Sequence, residues 1–149
     1  MNVPLNKPIK LSILSSPAHL PVVRAAVEEL CKEVGFSEDT TGKIILSLDE
    51  ALSNIIKHAY LGKDDQPIEV ELTPTGSDGP QGLQMLLRDY GRTVDRSEIK
   101  SRNLHEVRPG GLGVHIMTEC MDEIDYTAAA DGGTILSMIK KLPDKEDNR

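Results

Sequence analysis

Polar side chains recur every four residues in one otherwise apolar segment, at Glu50, Asn54 and His58. Residues four apart lie on one face of an α-helix, so this spacing predicts a polar row along a helix. A carboxylate in such a row can accept a proton from a hydroxyl group. An amide oxygen one turn away is a hard ligand of the kind that Mg²⁺ binds. The same spacing also fits a solvated helix face, which the spacing taken alone favours.

A second pattern, Asp89-Tyr90-Gly91, follows an apolar run that is typical of a strand. A carboxylate at a strand end can accept a hydrogen bond from an exocyclic amine, such as that of adenine. The glycine would allow the backbone to approach a ligand closely. Asp-x-Gly is also frequent in ordinary turns, so this pattern alone indicates little.

A third pattern is the glycine-rich run 108–114, with the sequence RPGGLGV, which leads into a predicted helix. Glycines such as Gly111 and Gly113 at a helix entrance leave backbone N–H groups available, and the helix dipole favours an anion there. The preceding segment 92–108 carries more basic than acidic residues, although the chain as a whole is acidic. This segment could close over a triphosphate. An ordinary solvated loop and a flexible glycine turn are the alternatives.

The composition restricts the classes of protein that these patterns can serve. A chain of 149 residues fits one domain, and its formal net charge of −7 argues against direct nucleic-acid binding. Cys31 and Cys120 lie in separate apolar segments without metal-ligand spacing, which predicts reduced core thiols. The sequence shows neither a signal peptide nor an apolar run long enough to span a membrane. We therefore expect a cytoplasmic protein without membrane contact.

Apolar periodicity and turn residues predict the elements that position the polar groups. Strands are predicted at 9–14, 68–72, 83–89, 123–128 and 134–141. Helices are predicted from Ser16-Pro17 to Gly35, from Ser37 to about Tyr60, and over 113–121. A turn-rich connection is expected at 74–82 and a long loop at 91–111. The buried stripe of the second helix is predicted to comprise Ile45, Leu48, Leu52, Ile55, Ile56 and Ala59.

This order of elements predicts an α+β fold. We expect a two-layer sandwich in which a mixed, mostly antiparallel sheet carries helices on one face. Residues 1–142 would form the domain, and the charged tail 143–149 is expected to be disordered.

The order of the three polar patterns resembles that of the Bergerat ATP-binding superfamily, which includes histidine kinases, gyrase-type topoisomerases and heat-shock chaperones. Within it, the segments 47–60 (SLDEALSNIIKHAY) and 110–117 (GGLGVHIM), followed by 121–123 (MDE), resemble the anti-sigma-factor serine/threonine kinases. The resemblance extends from about Ile9 to Lys141 and implies the two-layer fold of that superfamily.

The resemblance also implies a role for each matching residue. Glu50 would be the general base for a hydroxyl group of a protein substrate. Asn54 would hold the Mg²⁺ that bridges the phosphates of ATP. Asp89 would bind the adenine amino group, with Gly91 beside it. Phosphates would be cradled by the two glycines at the predicted helix entrance, Gly111 and Gly113.

An anti-sigma-factor kinase of this kind would phosphorylate a small anti-anti-sigma protein and would sequester a sigma factor when that antagonist is not available. Relatives of this fold often dimerise, so the resemblance also suggests a homodimer. A second hypothesis is a regulatory module that acts by binding a partner, with weak catalysis or none. It is motivated by Thr93, which stands where the superfamily pattern has a second glycine.

Overall fold

Five strands and two complete helices lie in the part of the chain that the computed structural model describes, residues 3–91 and 117–144. The strands are β1 (Ile9–Leu14), β2 (Pro67–Thr75), β3 (Gly82–Asp89), β4 (Glu123–Ala128) and β5 (Thr134–Lys141). The complete helices are α1 (Leu20–Val34) and α2 (Glu38–Asn54), and residues 117–120 are also helical. The remainder of the predicted third helix, the long loop and most of the tail lie outside the described residues.

The first predicted helix begins as a short 3₁₀ helix, Pro17–His19, before α1. Ser16 caps it as predicted, since its hydroxyl accepts a hydrogen bond from the Ala18 N–H at 3.3 Å. Pro21 has no N–H for the carbonyl of Pro17, and that carbonyl accepts the Leu20 N–H instead. This hydrogen bond joins residues three apart instead of four, which tightens the first turn into the 3₁₀ form.

The second predicted helix contains a change of helical pitch. It starts at the predicted cap, because the Ser37 hydroxyl accepts the Thr40 N–H at 3.1 Å. α2 ends at Asn54, and the path continues through a π-helical turn, Ile55–Ala59, closed by a 3.0 Å hydrogen bond from the Tyr60 N–H to the Ile55 carbonyl. The predicted helical segment up to Tyr60 is therefore confirmed, with a wider last turn.

The predicted buried stripe of this helix was wrong at its edges. Ile44 is fully buried, whereas Ile45 and Ile56 are only half-buried at the margin of the core. The buried row rests on Ile44, Leu48, Ala51, Leu52 and Ile55, together with Ala59. Adjacent isoleucines at 44 and 45 both fit helical periodicity, so the sequence pattern did not decide which of them faces the sheet.

Within residues 3–91 and 117–144 the sheet has the order β1-β2-β3-β5-β4, and its four strand pairings are antiparallel. This agrees with the predicted α+β class and with a mostly antiparallel sheet. β3 buries Leu83, Met85 and Leu87 at alternate positions, and the next position in this buried row is Asp89. The pleat thus directs a carboxylate to the face that otherwise holds the apolar core.

The turn predicted at 74–82 is shorter than expected, because β2 extends to Thr75 and β3 begins at Gly82. Pro74 lies in β2 beyond the last pair with β1, Ile9 with Leu72. Its backbone polar side faces away from β3, because its carbonyl accepts the Asn6 N–H at 2.7 Å. Its missing N–H therefore interrupts no strand pairing.

The two cysteines are free, Cys31 being buried and Cys120 half-buried. Desolvation raises the pKa of the Cys31 thiol to about 11, which keeps it protonated at neutral pH. Among the helices of residues 3–91 and 117–144, none combines the length and apolar character needed to cross a bilayer.

Candidate functional site

Two adjacent carboxylates on α2 have different surroundings. Asp49 forms an ion pair with Arg24, in which its Oδ1 accepts a 2.7 Å hydrogen bond from the Arg24 Nε–H. This pair connects α2 to α1. Glu50 projects about 100° further round the helix and is half-buried. The geometry therefore assigns the neighbouring Asp49 to helix packing and leaves Glu50 as the acid of the polar row.

Asn54 is the last residue of α2 and stands one turn after Glu50, directly before the π-helical turn. Both side chains are half-buried. Within the described ranges, no group of three or more His, Cys, Asp or Glu side chains could hold a metal ion by itself. A metal here would need additional ligands such as phosphate oxygens, which is the usual manner in which Mg²⁺ binds a nucleotide site.

The carboxyl group of Asp89 is buried, with the residue only 3% exposed. Desolvation raises the pKa of Asp89, and hydrogen bonds from the backbone N–H groups of Gly91 and Thr134 partly oppose that rise. The Gly91 N–H lies 3.1 Å from the Asp89 Oδ1. A desolvated carboxylate is a strong acceptor for a ligand amine, because no water competes with the donor.

The turn formed by residues 89–91 lies against the end of the helical segment that carries Asn54. A Cβ atom on Gly91 would overlap the carbonyl oxygen of Ala59. The phenol oxygen of Tyr60 accepts a 2.7 Å hydrogen bond from the Tyr90 N–H. The structure therefore joins two of the three predicted patterns, the helix row and the Asp-x-Gly turn.

The hairpin between β4 and β5 borders the same turn. Gly133 has φ of 83°, and a Cβ atom there would overlap the carbonyl oxygen of Asp89, so only glycine allows this approach. Thr134 follows, and its buried hydroxyl has no hydrogen-bond partner among the described residues. Thr134 was predicted only as the first residue of a strand and not as a site residue; its one signal is its position directly after a glycine pair.

Arg88 is a second residue of this region that the sequence patterns did not predict. It forms an ion pair with Asp131 of the hairpin, and its guanidinium carbon lies 4.5 Å from the centroid of the Tyr90 ring. Its positive charge lowers the pKa of the adjacent Asp89 carboxyl, against the larger effect of burial. Arg88 thus connects Tyr90, in the middle of the turn, to the hairpin.

The third predicted pattern lies outside the described residues. This applies to Gly111, Gly113 and the basic segment 92–108. Their roles remain predictions from the sequence.

The α+β architecture with its five-stranded antiparallel sheet is that of a histidine kinase-like ATPase domain. The chain belongs to the histidine kinase-like ATPase domain family, whose sequence model matches residues 13–140. The predicted superfamily resemblance is confirmed by this match.

Its relatives include enzymes named serine-protein kinase RsbW. One from Listeria monocytogenes is 26% identical over 146 residues, which covers 93% of this chain and 89% of that protein. The one from Bacillus pumilus is 23% identical over 142 residues, covering 90% of this chain and 85% of that protein. The alignment with each thus spans nearly the whole of both proteins.

Several solved structures share the fold, among them the following two. The RsbU and RsbW domains of a Mycobacterium tuberculosis protein match with a TM-score of 0.63 at 18% identity, covering 93% of this chain and 34% of that longer chain. The SiaB–SiaC complex from Pseudomonas aeruginosa matches with a TM-score of 0.61 at 12% identity, covering 90% of this chain and 88% of that chain. The predicted α+β architecture is confirmed.

Proposed function

We propose that this protein is an ATP-dependent serine/threonine kinase of the partner-switching type. It transfers the γ-phosphoryl group of ATP to a hydroxyl group of a small anti-anti-sigma protein, and it sequesters a sigma factor when that antagonist is not available. The observation that carries the proposal is the packing of the buried Asp89 turn against the helical segment that contains Glu50 and Asn54. The kinase names of its relatives support the same reaction.

Asp89 would recognise the base. Its carboxylate sits at the end of β3, shielded from water, and it can accept a hydrogen bond from the 6-amino group of adenine. A guanine base presents a carbonyl oxygen at that position, and two acceptors facing each other would repel. This chemistry favours ATP over GTP.

Asn54 and Glu50 would act on the phosphate side. The amide oxygen of Asn54 suits Mg²⁺, which when bound neutralises charge on the phosphates during transfer. Glu50, one helical turn away, would accept the proton of the attacking serine or threonine hydroxyl. The backbone N–H groups at Gly111 and Gly113 would bind phosphate oxygens, as glycines at a helix entrance do elsewhere.

The partner switch would follow from the product of the reaction. A phosphoryl group adds up to two negative charges to the antagonist, which an acidic kinase repels. The phosphorylated antagonist would leave, and the kinase would be free to bind the sigma factor. The proposal includes a homodimer that acts in the cytoplasm.

The test is a thermal shift with and without Mg-ATP on three proteins: wild type, Asn54→Ala and the neighbouring control Ser53→Ala. A ligand that binds the folded state raises the melting temperature, so wild type and the control should show a rise that Asn54→Ala loses. An equal rise in all three proteins would remove Asn54 from the site.

The enzymatic claim needs a second measurement. Wild type incubated with γ-labelled Mg-ATP and its antagonist should place label on a serine or threonine of the antagonist. Nucleotide binding without any label transfer would favour the hypothesis of a non-catalytic binding module. That module should also bind its partner equally well with Asn54→Ala.

A further inference from the structure

Tyr60 is the last residue of the segment 47–60 (SLDEALSNIIKHAY), and the proposed function gives it no role. The residue is 5% exposed, and its phenol group contacts the backbone of β2 and of the residue that follows β3. The hydroxyl donates a hydrogen bond to the carbonyl oxygen of Pro67 in β2 and accepts the Tyr90 N–H, which directly follows β3, at 2.7 Å. Burial raises the pKa of this phenol, so it remains a neutral donor and acceptor.

The position of this hydroxyl follows from the register of the sheet. Ile68 of β2 pairs with Asp89 of β3, so the next pair in an antiparallel ladder would be Pro67 and Tyr90. Proline has no N–H, and this pair could form only one backbone bond, from Tyr90 to Pro67. The Tyr60 hydroxyl lies between those two groups and bonds to both. It replaces the last bond of the ladder and holds the two strand ends apart.

This replacement determines where the Asp89 turn lies relative to α2. Tyr60 directly follows Ala59, whose carbonyl is in contact with Gly91. The Gly91 N–H in turn bonds to the Asp89 carboxylate. The turn is thus attached to the helical segment that carries Asn54 by the Tyr90 N–H bond to Tyr60 and by the close approach of Gly91 to the Ala59 carbonyl, while the Gly91 N–H orients the carboxylate within the turn.

We propose that Tyr60 is a positioning residue for base recognition, which holds the 89–91 turn so that the Asp89 carboxylate meets the 6-amino group of adenine. The proposal rests on the proposed function, because it assumes that adenine binds at Asp89. It adds that the selectivity for adenine depends on a phenol that does not touch the nucleotide.

The experiment measures binding of two nucleotides by calorimetry in Mg²⁺ buffer. One is ATP, and the other is purine riboside triphosphate, which lacks only the 6-amino group. Wild type should prefer ATP. Tyr60→Phe keeps the ring but loses the hydroxyl, and the ratio of the two dissociation constants should fall roughly three- to tenfold toward one, the effect of about one well-placed hydrogen bond.

Tyr126→Phe is the matched control, because it removes a phenol hydroxyl from a half-buried tyrosine of β4 and should leave the ratio unchanged. A Tyr60→Phe protein that binds both nucleotides more weakly by the same factor would overturn the proposal, since Tyr60 would then serve only stability. Failure of the proposed function looks different: wild type itself would not bind ATP, or would not distinguish the two nucleotides.

A second measurement on wild type covers the case in which Tyr60→Phe does not fold. Hydrogen exchange at the Tyr90 N–H should be slow in the free protein and slower again with ATP than with purine riboside triphosphate at equal saturation. Exchange at the rate of an unprotected amide in the free protein would overturn the proposal.

Discussion

The backbone of Gly91 lies directly against the carbonyl of Ala59, with no space for a side chain between them. An added Cβ atom would also come within 3.0 Å of the Tyr60 ring. Both neighbours belong to the end of the helical segment that carries Asn54. The contact therefore links the predicted phosphate side of the site to its base side.

Substitution of Gly91 by alanine should separate these two parts. The methyl group would displace the turn or the helix end, at a cost of roughly 1–3 kcal/mol in the free energy of unfolding. We expect a lower urea midpoint and weaker ATP binding than the loss of stability alone explains. Gly42→Ala is the control, because a Cβ atom there meets nothing within 4 Å and alanine favours a helix. Equal behaviour of the two variants would contradict the close contact.

The raised pKa of Asp89 predicts how stability changes with pH. The folded protein binds a proton at this carboxyl more readily than the unfolded chain does. The contribution of Asp89 to stability is therefore complete below the ordinary pKa of 3.8 and is lost as the pH rises through the raised pKa. The free energy of unfolding of wild type, relative to Asp89→Asn, should decrease over that range in urea titrations.

ATP binding should show the opposite trend over the same range. An ionised carboxylate is a stronger acceptor for the 6-amino group than a neutral carboxyl, so wild-type affinity should rise as Asp89 loses its proton, whereas Asp89→Asn should lack this pH dependence. Calorimetry at several pH values measures both. A wild-type protein whose affinity is constant with pH through this range would show that Asp89 does not bind the base.

Glu50 and Asp49 allow a comparison between two neighbouring acids. Glu50→Gln should abolish phosphoryl transfer to the antagonist, while Mg-ATP binding and the free energy of unfolding remain close to wild type, because only the proton acceptor is lost. Asp49→Asn weakens the partly exposed ion pair to Arg24 and should cost about 0.2–1 kcal/mol of stability while transfer continues. Both rates come from label transfer at saturating ATP. Undiminished transfer by Glu50→Gln would assign the base elsewhere.

The parts of the fold that local chemistry determines could be predicted from the sequence. Ser37 with two following acidic residues marked the start of α2, and Gly35 with φ of 105° ended α1 where expected. The extent of β3 and its termination at Asp89 also followed from local pattern. Each of these features depends on a few adjacent residues and not on contacts between distant parts of the chain, so a local sequence pattern predicts it.

Other features depend on distant contacts and could not be read from the chain. The Tyr60 hydroxyl has its role only because Pro67 and Tyr90 meet across two strands. Ile44 is buried in preference to Ile45. The difference depends on the rotation of α2 about its own axis relative to the core, which helical periodicity does not determine to within one residue. The π-helical turn was likewise not predicted, since its sequence is compatible with an ordinary helix.

Thr134 provides the last prediction. Its hydroxyl is buried beside Asp89 without a hydrogen-bond partner among the described residues, while its backbone N–H donates to the Asp89 carboxylate. A buried hydroxyl without a partner destabilises a protein, so Thr134→Val should keep or raise the free energy of unfolding, by up to about 1 kcal/mol.

Nucleotide binding should respond in the opposite direction. If the Thr134 hydroxyl bonds to the base edge, directly or through a water, Thr134→Val should weaken ATP binding roughly tenfold. Thr127→Val, on the exposed face of β4, should change neither quantity. Calorimetry and urea unfolding on the same preparations measure both effects. A valine variant that is more stable than wild type and binds ATP as tightly would show that the Thr134 hydroxyl does not contact the base.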